Sequence, residues 1–174
     1  IKTMRKNECF NMIFSSSALV YEPKNNLLLK EQDKTKPNTT YGKTKLAIEE
    51  ILKDLFQNDN NDWRIANLRY FNPVGAHNSG LIGENPKGKA SNLFPAIMRV
   101  IKGQEKKLII YGNDWATADG TCIRDFVHVM DLADSHIAAL NYLKDNKPMI
   151  IDINIGTGKG TSALEVIKKF LKIN

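Results

Sequence analysis

The strongest constraint on the fold is an alternation of segment types along the chain. Met12–Ser16 is a short apolar strand that runs into serines. Tyr41–Phe56 follows a helical period: Leu46, Ile51, Leu52 and Leu55 form an apolar stripe, with Glu49, Glu50, Lys53 and Asp54 largely outside it. A polar loop, Asn58–Asp62, leads to a strand at Arg64–Tyr70. Asn72–Ala90 holds four glycines and two prolines and reads as a long loop, a length that usually means function or disorder. Leu93–Lys102 reads as a helix and Leu108–Tyr111 as a strand. Asp131 is placed to cap a helix running to Lys144, and Met149–Ile155 is a β-branched strand. Ser162 and Glu165 form a capping box for the last helix. Strands alternating with helices predict an α/β chain with a largely parallel sheet. The opening stretch reads as a helix tail entering a strand, and the closing stretch stops within a helix. The expectation is therefore a fragment, cut at both ends.

Composition narrows the class. With 174 residues, 42% hydrophobic and 25% charged, the chain has the make-up of an ordinary globular protein. No apolar run approaches the roughly 18 residues of a membrane span, and no signal pattern opens the chain. Cys9 and Cys122 are far apart and flank no metal-like spacing, so a reducing compartment such as the cytosol is expected. The net charge of +6 comes from lysines that are scattered and often beside acids. Only Lys102–Lys107 is dense, and it contains a glutamate. This pattern predicts a solvated surface and no nucleic-acid or membrane partner.

The chemistry begins at Tyr41 and Lys45. Positions i and i+4 share a helix face, so the two side chains are neighbours. A free phenol titrates near 10, and moving it to about 7 takes some 4 kcal/mol of differential stabilisation. A nearby ammonium supplies part of that. Such a tyrosine can remove a proton from a sugar hydroxyl while hydride leaves the same carbon. The YxxxK spacing is common by chance on its own. Upstream, however, Ile13–Tyr21 is a strand ending in three serines, and reactive groups in α/β sheets gather beyond the carboxyl ends of strands. A serine there and a tyrosine on the next helix can converge on one substrate oxygen.

With "SSSALVY", "YGKTK", "LRYFNPVGAH", "SNLFPAI", "YGNDWATADGTCIRDFVHVMDLADSH" and "NIGTGKGTS", nearly the whole chain resembles the UDP-glucose 4-epimerase family, of the extended short-chain dehydrogenase/reductases. The resemblance implies a Rossmann-like parallel sheet with part of a smaller sugar-nucleotide-binding region. It implies a catalytic stretch of the NAD-binding domain at 1–70, and a mixed remainder of sheet and substrate region at 71–174. It implies NAD as cofactor, UDP-galactose and UDP-glucose as substrates, and a homodimer. Ser17, Tyr41 and Lys45 match the family's triad: Tyr41 as acid/base, Ser17 on the sugar O4, and Lys45 on the nicotinamide ribose. Phe71 matches a cofactor contact. Asn72, Asn92, Leu93 and Arg124 match substrate contacts, and Ile109, Ile110 and Tyr111 match a strand that holds uracil.

An arginine fork suits phosphate oxygens, and an asparagine at a helix start sits beside free N–H groups. Bland readings stand beside these: Arg124 as an ion pair with Asp125, Asn92 as a helix cap, and Tyr70 and Phe71 as core. His77 and His128 read as structural, and His136 as a helix-surface residue. The run Gly156–Ser162 looks like a phosphate cradle, but it lacks the Walker spacing and reads as a tight β–α connection. The family's glycine-rich cofactor turn would lie upstream of this chain, and its closing segment downstream. Glu22 stands where the family usually has glycine, and would be strained if that position needed a positive φ. A sugar-nucleotide dehydratase would need an acidic pair near Ser17, which "SSSALVY" does not offer. A truncated, inactive product is the other alternative.

Overall fold

In the computed structural model, residues 1–24, 28–59, 62–88, 90 and 92–173 are described. Asn60 and Asn61 of the expected polar loop, Lys89, and Ser91 of the "SNL" motif lie outside them. The chain forms two units: Ile1–Phe71 with Asp131–Gly156, and Asn72–Met130 with Thr157–Asn174.

The first unit is built on a three-stranded parallel sheet. β1 (Asn11–Ser17) and β5 (Met149–Ile155) flank β2 (Arg64–Tyr70). The register places Ser16 beside Arg69 and Ser17 beside Tyr70. A short helix, α1 (Lys2–Lys6), precedes β1. The helix α2 (Thr40–Asn58) connects β1 to β2, and α4 (Val129–Asp145) precedes β5. Alternation along β2 sends Ala66 and Leu68 to one face, where they pack with Ala139 and Leu143 of α4. Ile65 goes to the other face, with Leu52 of α2 and Trp63. Trp63 is fully buried, and its indole N–H donates to Asp59 at 2.6 Å. Truncating such a residue to alanine costs about 3–5 kcal/mol.

The second unit carries a mixed sheet. β3 (Asn72–Val74) runs parallel to β4 (Ile123–His128), and β6 (Gly160–Ser162) runs antiparallel to β4. Two helices accompany it, α3 (Leu93–Ile101) and α5 (Ala163–Ile173). Phe94 of α3 meets Phe126 and Phe170 edge-on. The expected capping box is formed: Glu165 accepts from the Ser162 N–H at 2.8 Å, and Ser162 Oγ accepts from the Glu165 N–H at 3.1 Å. Gly75 has φ of 94° and lies against the His128 ring, so a Cβ there would collide with the imidazole.

Several expectations change. Leu108–Tyr111 forms no strand: among the described residues no strand pairs with it, and Ile109, Ile110 and Tyr111 are solvent-exposed. The first residues of the expected long loop form β3, because Asn72–Val74 find a partner in β4. Asp131 lies inside the first turn of α4 and is not its cap. Glu22 is unstrained: among the described residues only Glu8 is a non-glycine with positive φ. Its N–H donates to Lys34, and its carboxylate faces Lys34 and Lys36.

Candidate active site

Helix α2 starts at a cap formed by Thr39, whose side chain accepts from the Gly42 N–H at 3.0 Å. Gly42 lets this first turn press against the short 3-10 turn Ala18–Val20 that follows β1. A Cβ at Gly42 would collide with the Leu19 carbonyl and with Pro37. The close approach brings Tyr41 to the carboxyl end of the sheet, where the residue is 53% exposed. Lys45 extends over the Tyr41 ring, 5.5 Å from its centroid, and over Phe14 at 5.2 Å. Its ammonium donates to the Ser15 carbonyl at 2.9 Å. A lysine anchored on a strand carbonyl is fixed beside the phenol, unlike a solvated one.

Ser17 ends β1 and is nearly buried. Its Oγ accepts from the Leu19 N–H at 3.2 Å, which leaves the hydroxyl proton to donate to an incoming oxygen. Ser17, Tyr41 and Lys45 thus share one end of one sheet, and all three belong to the first unit. Phe71 follows β2, and its N–H donates to Ile155 at 3.1 Å.

Beneath this end lies a buried polar network that the periodicity of α2 did not reveal. Glu49, expected outside the apolar stripe, is fully buried. It accepts from Arg69 twice, Nε at 3.0 Å and Nη2 at 2.6 Å, and from the Ser16 hydroxyl at 2.5 Å. Arg69 also donates to Asp152 at 2.8 Å and to the Tyr21 hydroxyl at 3.0 Å. Burial works against the charge of Arg69, but its hydrogen bonds with Glu49 and Tyr21 outweigh this and the guanidinium is held firmly protonated. Burial likewise pushes the Tyr21 phenol upward, against the pull of Arg69. The signal in the sequence was the spacing: Tyr41, Lys45 and Glu49 lie four apart and so share one face.

His136 is also placed differently from expectation. It is half-buried, with Nδ1 on the Leu132 carbonyl at 2.8 Å and Nε2 on the Tyr70 hydroxyl at 2.9 Å. Its helix packs the imidazole against the strand, so it is no surface residue. Nδ1 faces a carbonyl acceptor and so carries a proton. Burial pushes the Tyr70 phenol above its ordinary value.

In the second unit, Asn72 opens β3 in register with Phe126, two residues beyond Arg124 on β4. Arg124 donates to its neighbour's carbonyl, Ile123, at 2.8 Å, and among the described residues it forms no ion pair with Asp125. The Asp125 carboxylate is engaged elsewhere. It accepts from the N–H groups of Thr157 and Gly158 at 2.8 Å each and from the Thr157 hydroxyl at 2.6 Å. The glycine-rich run is a nest of N–H groups, and the protein's own carboxylate fills it. Asn92 stands at the N-cap of α3 without capping it, and its amide donates to Glu84 at 3.3 Å. Leu93 is the first residue of that helix. Ile109, Ile110 and Tyr111 lie exposed with no strand about them.

Among the described residues no group of histidines, cysteines and acids is placed to hold a metal. No helix among the described residues is long and apolar enough to cross a membrane. Tyr41, Lys45 and Ser17 present a phenol, an ammonium and a hydroxyl at one sheet end, a donor set that fits the ribose hydroxyls of a dinucleotide.

The sequence profile of the NAD dependent epimerase/dehydratase family matches residues 1–156. UDP-glucose 4-epimerase 2 of Oryza sativa subsp. japonica is 49% identical over 99% of this chain and 42% of its own length. The crystal structure of a Stenotrophomonas maltophila UDP-glucose 4-epimerase with bound NAD and formylated UDP-arabinopyranose is 44% identical. It has a TM-score of 0.92, over 97% of this chain and 50% of that one. The Bifidobacterium longum UDP-glucose 4-epimerase in complex with NAD+ and UDP is 46% identical, with a TM-score of 0.90 over 98% and 50%. The chain spans about half the length of the curated relatives it matches.

Proposed function

This chain belongs to the NAD dependent epimerase/dehydratase family, and from that premise we propose that it carries the catalytic machinery of a UDP-hexose 4-epimerase interconverting UDP-galactose and UDP-glucose. The observation that carries the proposal is the fixed Tyr41–Lys45 pair at the sheet end that Ser17 occupies. NAD, when bound, supplies reversible acceptance of hydride from the sugar C4. Lys45 and Tyr41 would hold its nicotinamide ribose, with Phe71 a further contact.

Within this proposal Tyr41 takes the proton from the sugar O4 and later returns it. Ser17 donates to the same oxygen and keeps it aligned with the phenol. Lys45 places a positive charge beside the phenol, held there by the Ser15 carbonyl. Asn72, Asn92, Leu93 and Arg124 hold the nucleotide diphosphate and sugar, and Ile109, Ile110 and Tyr111 the uracil. Support for Arg124 comes from a guanidinium not neutralised by Asp125. Glu49 is the carboxylate near Ser16, and Arg69 holds it in full burial, which gives no support to an acid-assisted dehydration.

A homodimer in the cytosol belongs to the same proposal. It is supported by two free thiols and by exposed apolar residues, Ile48 and Ile51 on α2 and Ile137 and Tyr142 on α4. The test is a chimaera in which these 174 residues replace the matching half of the Bifidobacterium longum enzyme. Conversion of UDP-galactose to UDP-glucose supports the proposal. A folded chimaera that retains NAD without converting either sugar sinks it.

A further inference from the structure

Three contacts, about one helical turn apart, seat helix α2 on strand β1 and the turn that follows it. Gly42 lies against the Leu19 carbonyl, Lys45 donates to the Ser15 carbonyl, and Glu49 accepts from the Ser16 hydroxyl. The first two sit at or beside the reactive pair. The third is a full two turns from Tyr41, fully buried, and tied by two hydrogen bonds to Arg69 on the neighbouring strand. Ser16 and Arg69 are themselves register partners. One carboxylate therefore joins three elements, α2, β1 and β2, directly below the strand ends where Ser17 and Tyr70 stand.

A salt bridge for stability alone would not need this placement. A buried ion pair often contributes little beyond what apolar residues of the same volume would supply. What it does supply is geometry, because a carboxylate that accepts three hydrogen bonds has one allowed position. An apolar residue at position 49 would let α2 slide along its axis or roll on the sheet. Either movement carries Tyr41 and Lys45 away from Ser17, and small misplacements of catalytic groups cost rate steeply.

We infer that Glu49 is a positioning residue: through Ser16 and Arg69 it sets the height of α2 on β1 and so holds Tyr41 and Lys45 against the end of that strand. This rests on the reading of Tyr41 and Lys45 as the reactive pair. Glu49 touches no substrate and acts through the helix it belongs to.

Two variants test it, Glu49→Gln and Ser16→Ala. The second leaves the Glu49–Arg69 pair intact, so it stays informative if Glu49→Gln fails to fold. Amide hydrogen exchange on the 174-residue protein is the first readout. Both variants should speed exchange in Thr40–Glu49 by about tenfold, and in Arg64–Tyr70 by less than about threefold. Equal acceleration in both segments, or none in either, would overturn the inference. Steady-state kinetics in the chimaera is the second readout. Ser16→Ala should lower kcat by about tenfold with KM for UDP-galactose unchanged, as expected when alignment in the transition state is lost. Unchanged kcat would overturn the inference. An unsubstituted chimaera without turnover would count against the epimerase proposal alone, and the exchange result would then decide the role of Glu49.

Discussion

The Lys45 ammonium lies 5.5 Å from the centre of the Tyr41 ring and is tethered at 2.9 Å to the carbonyl of Ser15. Two residues four apart on a helix would share a face in any case. The tether distinguishes this pair, because it holds the charge at the sheet end where an exposed phenol can use it.

Replacing Arg124 by alanine should weaken binding of UDP itself. A charge-assisted hydrogen bond to phosphate contributes about 1.5–3 kcal/mol, or about 10- to 150-fold in affinity. The guanidinium donates to the Ile123 carbonyl, so its other N–H groups remain for a ligand. Isothermal calorimetry with UDP checks this, and unchanged affinity would remove Arg124 from the site.

Asp125→Ala should loosen the turn at Thr157 and Gly158. The carboxylate accepts from two backbone N–H groups and one hydroxyl. Urea unfolding followed by circular dichroism should show a loss of about 1.5–3 kcal/mol. Asp125→Asn keeps one acceptor oxygen and should lose less. Equal stability of all three proteins would show that the nest does not depend on the carboxylate.

Acid should destabilise the second unit through Asp119. Hydrogen bonds from the Ser162 hydroxyl, and then from the side chain and backbone of Thr121, hold its carboxyl below the usual range. A carboxylate whose pKa is lowered on folding contributes stability that is fully present above about pH 4, the unfolded value, and is lost as pH falls through the folded one. Thermal unfolding between pH 6 and pH 2, at roughly half-unit steps, should therefore show a steeper acid loss for the natural protein than for Asp119→Asn. Parallel profiles would contradict this.

The sequence carried some elements in full. Arg64–Tyr70 and Met149–Ile155 match β2 and β5 residue for residue: the second is rich in β-branched isoleucine, and the first stands between a polar loop and a segment rich in glycine and proline. The capping box at Ser162 was equally readable, since both partners lie within one helical turn. What stayed hidden depended on partners distant along the chain. Glu49 looked solvated because its stabilising cation, Arg69, stands 20 residues away on a strand. The carboxylate that fills the turn at Thr157 was not readable either, because Asp125 stands 32 residues upstream of it. Leu108–Tyr111 has the composition of a strand, but composition alone supplies no edge to pair with.

The central claim is that Tyr41 moves the proton at the sugar O4. The direct measurement is turnover of UDP-galactose by the chimaera and by its Tyr41→Phe variant, at matched NAD content and with UDP affinity measured in both. Phenylalanine keeps the ring over Lys45 and removes only the hydroxyl. The expected result is a fall in kcat of about 100-fold or more with UDP affinity unchanged. Turnover of the variant within about threefold of the unsubstituted chimaera would contradict the account.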